Sequence, residues 1–410
     1  MFTERLSVVD RMLLAFDAFV FSQVYGTVPA AGEIIHGREY RREQVPLAAI
    51  YRRVTAILEK ISEQLAKPTA PGPVLNKHCA ECQFAQRCKQ IAEERDDLSL
   101  LSKMSQKERQ RLHDRGIFTV TQLSHTFRHR RRASKKHDLA LQVLAIRKNQ
   151  IHVNGKIAWT ALGTPVYIDV EGDPDRGFYY CVGIRFQSAG AVVRSSFWAD
   201  DPAEEEKMWT ECLATLRTIA NPRLVHYGSF ETAFLRQMRK RYPTAGSADF
   251  LDRTMESALN LLAVVYAQVY FPTYSNSLKD VAKYLGFSWS EPTASGLAAL
   301  DWRRQWERVR EPALKEKLLR YNAEDCAAAE IVARALSSLS LPDANAVDAA
   351  RVKREYPQRF GENDFFLPEF EQINSAARWE HQRKKIYRQT CDPATAKGRS
   401  AMREPGESRG

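Results

Sequence analysis

The sequence lacks any long apolar run. Of its 410 residues, 44% are hydrophobic and 27% are charged. Charges interrupt every long segment, so no stretch of about 20 apolar residues is available to cross a bilayer. The first residues do not show the basic start and apolar stretch of an export signal. Internal repeats are also absent, and the composition predicts a cytoplasmic chain of two or three globular domains without a membrane partner.

Cysteine is scarce and odd in number, and acidic residues are outnumbered. The sequence has seven Cys, and four of them are scattered singly along the chain. This pattern does not make a disulfide framework and is typical of a reducing compartment. Lys and Arg number 61 against 50 Asp and Glu, which leaves a net charge of +11. That excess favours a polyanionic partner such as nucleic acid.

The first part of the chain is predicted to be mainly helical. Apolar residues recur at helical spacing from Val9 to Ser22, and Gly26 ends this helix. Residues 32–37 suit one short strand, and residues 46–66 form a second amphipathic helix. A Pro-rich turn at 68–73 then leads into a cluster of cysteines.

Two short capped helices and a basic run follow. Ser105 and Glu108 have the spacing of a capping box, Gly116 suits a helix end, and Thr119 can cap the next helix. One interpretation of the basic run is a solvated linker. Alternatively, the pair of helices resembles a helix-hairpin-helix unit that grips phosphates through backbone amides. The basic residues that would then bind nucleic acid are Arg128, Arg130, Arg131, Arg132, Lys135 and Lys136.

After Trp159 the sequence changes to alternating strands. Three β-rich runs at 165–171, 178–186 and 191–198 predict an antiparallel meander. Asp201 and Pro202 then begin a helix with three Glu in its first turn, which agrees with the helix dipole. A short strand at 223–227 and further helices complete an α/β pattern of the RNase H-like order.

Carboxylates occur at the points where these elements begin and end. Asp169 and Glu171 lie two apart on the first strand, so both side chains share one face. Tyr321 and Asp325 lie four apart on a late helix and share one face of it. Glu231 lies where a strand gives way to a helix. Each motif alone is common on solvated surfaces, but together they predict one acidic site.

In this order the motifs resemble the DEDD-type 3′–5′ exonucleases, in the subclass whose last motif carries Tyr. Residues 160–338 resemble most the YprB-type RNase H-like exonuclease domain. The resemblance implies an α/β, DnaQ-like fold with a mixed sheet. It lies in the segments Tyr167–Asp173, His226–Glu231, Ser277–Gly286 and Tyr321–Asp325.

The resemblance implies a two-metal hydrolysis of phosphodiester bonds. Asp169, Glu171 and Asp325 would hold two Mg²⁺ or Mn²⁺ ions, because such ions prefer hard oxygen ligands. Glu231 would complete the second site, although many exonucleases of this clan have Asp there. Tyr321 would orient the attacking water, since a phenol with a pKa of about 10 is better suited to orienting than to deprotonating it.

The cysteine cluster has the spacing C-x₂-C-x₅-C at Cys79, Cys82 and Cys88. Three thiols this close favour a metal, although they do not complete a tetrahedral site. The spacing resembles the C-terminal cysteines of RecB-like nucleases with a [4Fe–4S] cluster, whose fourth Cys and nuclease core have no match here. A Zn²⁺ site completed by His78 or His36 is the alternative.

These observations predict a RecB-like C-terminal portion joined to a DEDD nuclease that acts on single-stranded ends of DNA or RNA. The alternatives are a nucleic-acid-binding remnant with little activity, and a subunit of a split RecB-like nuclease. A protein that supplies the RecB-like core, or a helicase, is the further partner expected. The predicted segments are a mainly helical RecB-like remnant at 1–95, a basic linker at 96–150, the exonuclease domain at 160–338, an extension at 339–387 and a disordered tail at 388–410.

Overall fold

The structure is a computed structural model. It describes residues 6–37, 39–69, 71–102, 104–128, 137–157, 163–243, 248–340 and 346–352, together with the single positions 369, 373 and 376. The chain divides into two compact units, Met1–Val352 and Lys353–Gly410, and the elements below all belong to the first. Among the described residues, none of the helices combines the length and the apolarity that crossing a membrane requires.

The chain begins with a helix, a β-hairpin and a second helix. Helix α1 (Val8–Tyr25) starts at a capping box formed by Ser7 and Asp10, and it ends at Gly26 in a left-handed conformation. The antiparallel strands β1 (Ala31–His36) and β2 (Arg41–Pro46) follow. Helix α2 (Ala48–Leu65) then packs against α1.

A group of short helices comes next. Its members are the 3₁₀ turn Lys77–Glu81, α3 (Ala85–Glu94), α4 (Gln106–His113), α5 (Val120–Ser124) and α6 (Leu139–Lys148). Ser105 accepts a hydrogen bond from the backbone N–H of Glu108 at the start of α4. Thr119 and Gln122 form a reciprocal capping box at the start of α5. Leucines from this region, including Leu98 and Leu123, make a small core of their own.

A five-stranded mixed sheet forms the centre of the remaining chain. In spatial order its strands are β6 (Ala191–Trp198), β5 (Phe178–Ser188), β4 (Thr164–Asp173), β7 (Pro222–His226) and β8 (Leu259–Asn260). The first three pair antiparallel. The last two continue the sheet in parallel register beside β4. The parallel direction of β7 follows from the crossover through a helix between β6 and β7, because β6 itself runs in the same direction as β4.

Helices cover this sheet, and a second small sheet lies among them. The helices are α7 (Glu205–Thr218), α8 (Phe230–Arg241), α9 (Ala248–Glu256), α10 (Leu261–Gln268), α11 (Leu278–Tyr284), α12 (Gly296–Val309) and α13 (Pro312–Leu339). The small sheet has the order β10 (Val347–Asp348), β3 (His152–Val153), β9 (Val269–Tyr270). The main core lies between the five-stranded sheet and its helices and includes Trp209, Phe234 and Leu318.

Arg303 fixes α12 to the edge of the sheet. Its side chain is fully buried, and its guanidinium lies 4.6–5.3 Å from the centroids of four aromatic rings. It donates hydrogen bonds to the carbonyls of Ala199 and Asp200 and to the carboxylate of Glu307. The rings belong to Phe178, Tyr180, Trp198 and Trp306.

The predicted α/β class with a mixed sheet is confirmed, and so is the order of three antiparallel strands, a helix and a further strand. The prediction of one strand at 32–37 missed its partner β2, whose exposed, charged residues hide the strand pattern. The predicted domain boundaries stay predictions. Most of the extension at 339–387 and the whole tail at 388–410 lie outside the described residues.

Candidate active site

Asp169 and Glu171 lie on β4, the central strand of the main sheet. Their neighbours Ile168 and Val170 point into the core on the opposite face, which leaves both carboxylates on the other side, half-buried. A register shift between Glu171 and Gly172 disturbs the pairing with β5 at this point. Irregular pairing of this kind often re-aims side chains beside functional sites.

Helix α13 supplies the second half of the site. It packs on β4 and β5, and Tyr321 and Asp325 lie one turn apart on it, both buried. One ligand oxygen each from Asp169, Glu171 and Asp325 lie within 4.8 Å of one another. The strand pair and the helix pair predicted from the sequence therefore meet in one cluster.

This crowding of carboxylates shifts their ionisation. Burial raises the pKa of Glu171 to about 8, and the charge of Asp325 adds to the effect. Burial likewise raises the pKa of Asp169 well above its usual range, reinforced by the charges of Asp325, Glu171 and Glu231. The cluster therefore has too little compensating positive charge for all of its carboxylates to ionise easily.

Asp325 is held by two donors. The indole Nε1 of Trp289 donates to its Oδ1 at 2.7 Å, and the hydroxyl of Tyr321 hydrogen-bonds the same carboxylate. Burial raises the pKa of Asp325 to about 6, while these two hydrogen bonds and the nearby Lys279 act in the opposite direction. The pKa of the Tyr321 hydroxyl is raised by burial and by Asp325, so the phenol stays protonated at neutral pH.

Glu231 begins α8 beside the cluster. It is buried, and its charge reaches Asp169 and Glu171 closely enough to raise the pKa of each. The Nδ1 of His226 lies 3.5 Å from its Oε2. Within the described part of the chain, that Oε2 is buried without a hydrogen-bond partner. Buried acceptors are normally satisfied, so this atom suits a ligand position.

Lys279 is a cation whose charge acts on the ionisation of two of the acids. It lies on α11, half-buried, with its Nζ 4.8 Å from the ring centroid of Tyr321 and 5.5 Å from that of Trp289. Its Nζ also donates to the carbonyl of Ala294. Its charge lowers the pKa of Glu171 and Asp325. One lysine thus offsets part of the negative charge of the cluster.

Aromatic side chains surround the acids. Trp302 meets the Tyr321 ring edge-on at 6.2 Å between centroids, and the Nζ of Lys317 lies 4.1 Å from the Trp302 ring centroid. Phe230, next to Glu231, is 37% exposed. Tyr227 is half-buried and donates its hydroxyl to the carbonyl of Asn276 at 2.8 Å. Phe230 is therefore the most accessible of these rings, and an exposed ring of this kind can stack a base.

The donor set fits divalent metal ions with hard-ligand preference. It consists of carboxylate oxygens alone, which Mg²⁺ and Mn²⁺ prefer over nitrogen or sulfur. Three of the carboxylates converge, and the fourth has an unpartnered buried oxygen. Bound cations would offset the repulsion that raises the pKa values of Asp169 and Glu171.

The cysteine cluster does not converge in the same way. Cys79 and Cys82 lie at the 3₁₀ turn and Cys88 on α3, and all three are free thiols. Among the described residues, the acidic trio forms a group within 4.8 Å, whereas the three cysteines do not form one. His78 is exposed on the same turn and His36 is buried on β1. A [4Fe–4S] or Zn²⁺ site here stays a prediction.

The basic run is described only at its first member. Arg128 is exposed. The remaining residues of the run, Arg130, Arg131, Arg132, Lys135 and Lys136, lie outside the described residues.

Comparison with known proteins finds a family model that matches the region of the acidic cluster. Residues 166–337 match the family model RNase_H_2, described as the RNase_H superfamily. The match spans all five site residues predicted from the sequence and indicates a hydrolytic nuclease in general terms. No curated protein and no solved structure matches the chain.

Three residues that support the site were not predicted from the sequence. Trp289 donates to Asp325, Lys279 lies against Tyr321, and Asn322 donates from its Nδ2 to Oδ2 of Asp169 at 2.7 Å. Asn322 follows Tyr321 directly, so the neighbouring motif pointed at its position. Trp289 lies in a loop without periodicity, and no local pattern marked it.

Proposed function

We propose that the protein is a metal-dependent 3′–5′ exonuclease that hydrolyses single-stranded DNA or RNA from its end. The convergence of Asp169, Glu171 and Asp325 within 4.8 Å, on a domain of the RNase H superfamily, carries this proposal. The net charge of +11 supports a polyanionic substrate.

The carboxylates would hold two Mg²⁺ or Mn²⁺ ions. Asp169, Glu171 and Asp325 would form the shared ligands and Glu231 would complete the second position. Bound ions would supply Lewis acidity and neutralise the charge on the entering and leaving oxygens of the phosphate.

The protein's own groups position the reactants. Tyr321, protonated because burial raises its pKa, can orient a water molecule through its hydroxyl. Lys279 adds a fixed positive charge on the Tyr321 side of the cluster, where it favours a phosphate. Phe230, exposed beside Glu231, offers a face on which a terminal base can stack.

Cleavage of end-labelled oligonucleotides tests this proposal. Single-stranded DNA and RNA would be incubated with Mn²⁺ and the wild type, Asp169→Ala or Asp325→Ala. Asp175→Ala is the control, because Asp175 is exposed in the turn after β4. We expect a ladder that shortens from the 3′ end with the wild type and the control, and a loss of about 10²- to 10³-fold with the two site variants.

Two other outcomes of the cleavage assay would contradict part of the proposal. Internal cuts that need Asp169 and Asp325 would keep the nuclease and contradict the exonuclease. Binding without cleavage by folded, metal-saturated wild type would contradict the enzyme and favour a nucleic-acid-binding protein. The preferred oligonucleotide decides between DNA and RNA.

A further inference from the structure

Gly183 on β5 and Asn322 on α13 meet behind the acidic cluster. Gly183 is the register partner of Asp169 in the β4–β5 pair. It lies in regular strand backbone, outside the positive-φ glycines of the described chain, so the backbone conformation itself does not require glycine here. Glycine in the interior of a strand weakens it and often marks a close approach by another element.

The close approach comes from Asn322. A Cβ at position 183 would overlap Oδ1 of Asn322, and it would lie 3.0 Å from Cγ of Asn322 and 3.2 Å from Sγ of Cys326. Asn322 and Cys326 are one turn apart, on the side of α13 that faces the sheet. The missing side chain at Gly183 is therefore the space that lets α13 lie this close to β4 and β5.

Asn322 uses this space to reach Asp169. Its side chain is fully buried, and its Nδ2 donates to Oδ2 of Asp169 at 2.7 Å. The opposite amide orientation would place a carbonyl oxygen against a carboxylate. The observed orientation leaves Oδ1 of Asn322 buried without a hydrogen-bond partner among the described residues. A buried carbonyl without a hydrogen-bond donor destabilises the fold. Stability alone therefore does not explain why Asn322 occupies this position.

We infer that Asn322 is a positioning residue that fixes the carboxylate of Asp169 for metal binding, and that Gly183 is glycine to admit it. One oxygen of Asp169 is occupied by the amide, so the other is presented to the cluster with Glu171 and Asp325. Outer residues that orient metal ligands typically contribute 10- to 100-fold to metal affinity. The inference rests on the metal role proposed for Asp169 but not on cleavage.

Metal affinity and stability together test the inference. Asn322→Leu keeps the approximate shape of the side chain and removes the donor. In titration calorimetry of the full chain with MnCl₂, we expect the variant to bind about 10- to 100-fold more weakly than the wild type. In thermal unfolding with EDTA, it should remain close to the wild type. Mn²⁺ affinity equal to that of the wild type would overturn the inference.

Gly183→Ala tests the second half. Alone it should lower the unfolding temperature, whereas Gly296→Ala, at a glycine with open space around it, should not. The double variant Gly183→Ala with Asn322→Ala should recover stability, because the overlap is gone, yet bind Mn²⁺ as weakly as Asn322→Ala alone. A double variant no more stable than Gly183→Ala would overturn the assignment.

The readouts separate this inference from the proposed function. Weaker Mn²⁺ binding by Asn322→Leu, in a wild type that binds Mn²⁺ but does not cleave, would support the positioning role and contradict the nuclease. A wild type that does not bind Mn²⁺ would overturn both.

Discussion

The helical N-terminal part and the mixed-sheet domain differ in how completely their apolar side chains are buried. Helices α1 and α2 bury a small core that includes Ala15, Ala18 and Val54, while apolar residues such as Leu13 and Phe16 of α1 remain 48% and 42% exposed. The sheet domain buries large side chains on both faces of its strands. Acids from distant parts of the sequence converge in that domain, at Asp169, Glu171 and Asp325.

The difference concerns chemistry as well as packing. The acids at 169, 171 and 325 come from two elements that pack directly, so they meet within 4.8 Å. The three cysteines come from one short stretch with little tertiary support, and Cys82 is exposed. Sequence proximity thus did not create a cluster, whereas packing of a helix on a strand did.

Substitution of Glu231 is the strongest test of the contrast between the acidic cluster and the cysteines, because Glu231 is distant in sequence and only packing brings it to the acids. We expect Glu231→Gln to lower the cleavage rate about 10²- to 10³-fold, because the neutral amide replaces a charged ligand. The exposed Glu211→Gln on α7 is the matched control. Rates of single-turnover cleavage with Mn²⁺ measure the effect, and an unchanged rate would remove Glu231 from the site.

Tyr321 should matter less than the ligands. Tyr321→Phe removes the hydroxyl that orients water, while Trp289 still donates to Asp325, so we expect about a 10²-fold lower rate. The affinity for Mn²⁺, measured by calorimetry, should fall less than in Asn322→Leu, because one of the two donors to Asp325 remains. Tyr284→Phe, a half-buried tyrosine that packs on Phe271, should cleave normally. A large loss of Mn²⁺ affinity in Tyr321→Phe would contradict the water-orienting role.

The raised pKa of Glu171 predicts an effect on stability. Its folded-state pKa of about 8 lies above the ordinary value of 4.5, so its stabilising contribution is complete below pH 4.5 and is lost as pH rises through 8. In EDTA, Glu171→Gln should therefore unfold several degrees higher than the wild type at pH 8, and at nearly the same temperature at pH 5.

Metal should reverse that order. With saturating Mn²⁺ at pH 8 the wild type gains stability by ligand binding, and Glu171→Gln gains less. Glu211→Gln should follow the wild type under all conditions. If Glu171→Gln unfolds at a higher temperature than the wild type by the same amount at pH 5 and pH 8, the stabilisation does not come from removal of the charge.

The smallest effect is expected in the N-terminal part. Cys79→Ser and Cys82→Ser should change the cleavage rate less than twofold, because these thiols lie apart from the acidic cluster. Metal analysis of the purified protein for iron and zinc accompanies the assay. Bound iron or zinc that both variants lose would establish the cysteine site that the spacing predicts, and a simultaneous loss of cleavage would contradict the independence of the two parts.

Local sequence patterns predicted the helices, the strands and the candidate metal ligands. They did not predict the residues that hold those ligands in place. The alternation in β4 gave Asp169 and Glu171, and helical spacing gave Tyr321 and Asp325. Trp289 and Lys279 reach the site through a loop and a separate helix, and no period in the sequence connects them to residue 325. The space at Gly183 has meaning only once α13 lies on the sheet.

Helix α12 forms one wall of the acidic cluster, and the guanidinium of Arg303 attaches this helix to the rest of the domain. Helix α12 carries Trp302, which contacts Tyr321, and its next residue is locked between aromatic rings and two backbone carbonyls. Lifting α12 would leave those carbonyls without donors and open a cavity among the rings. Amide protons of α12 and β6 should therefore exchange with solvent in a single cooperative opening, and this wall cannot serve as a lid that moves by itself.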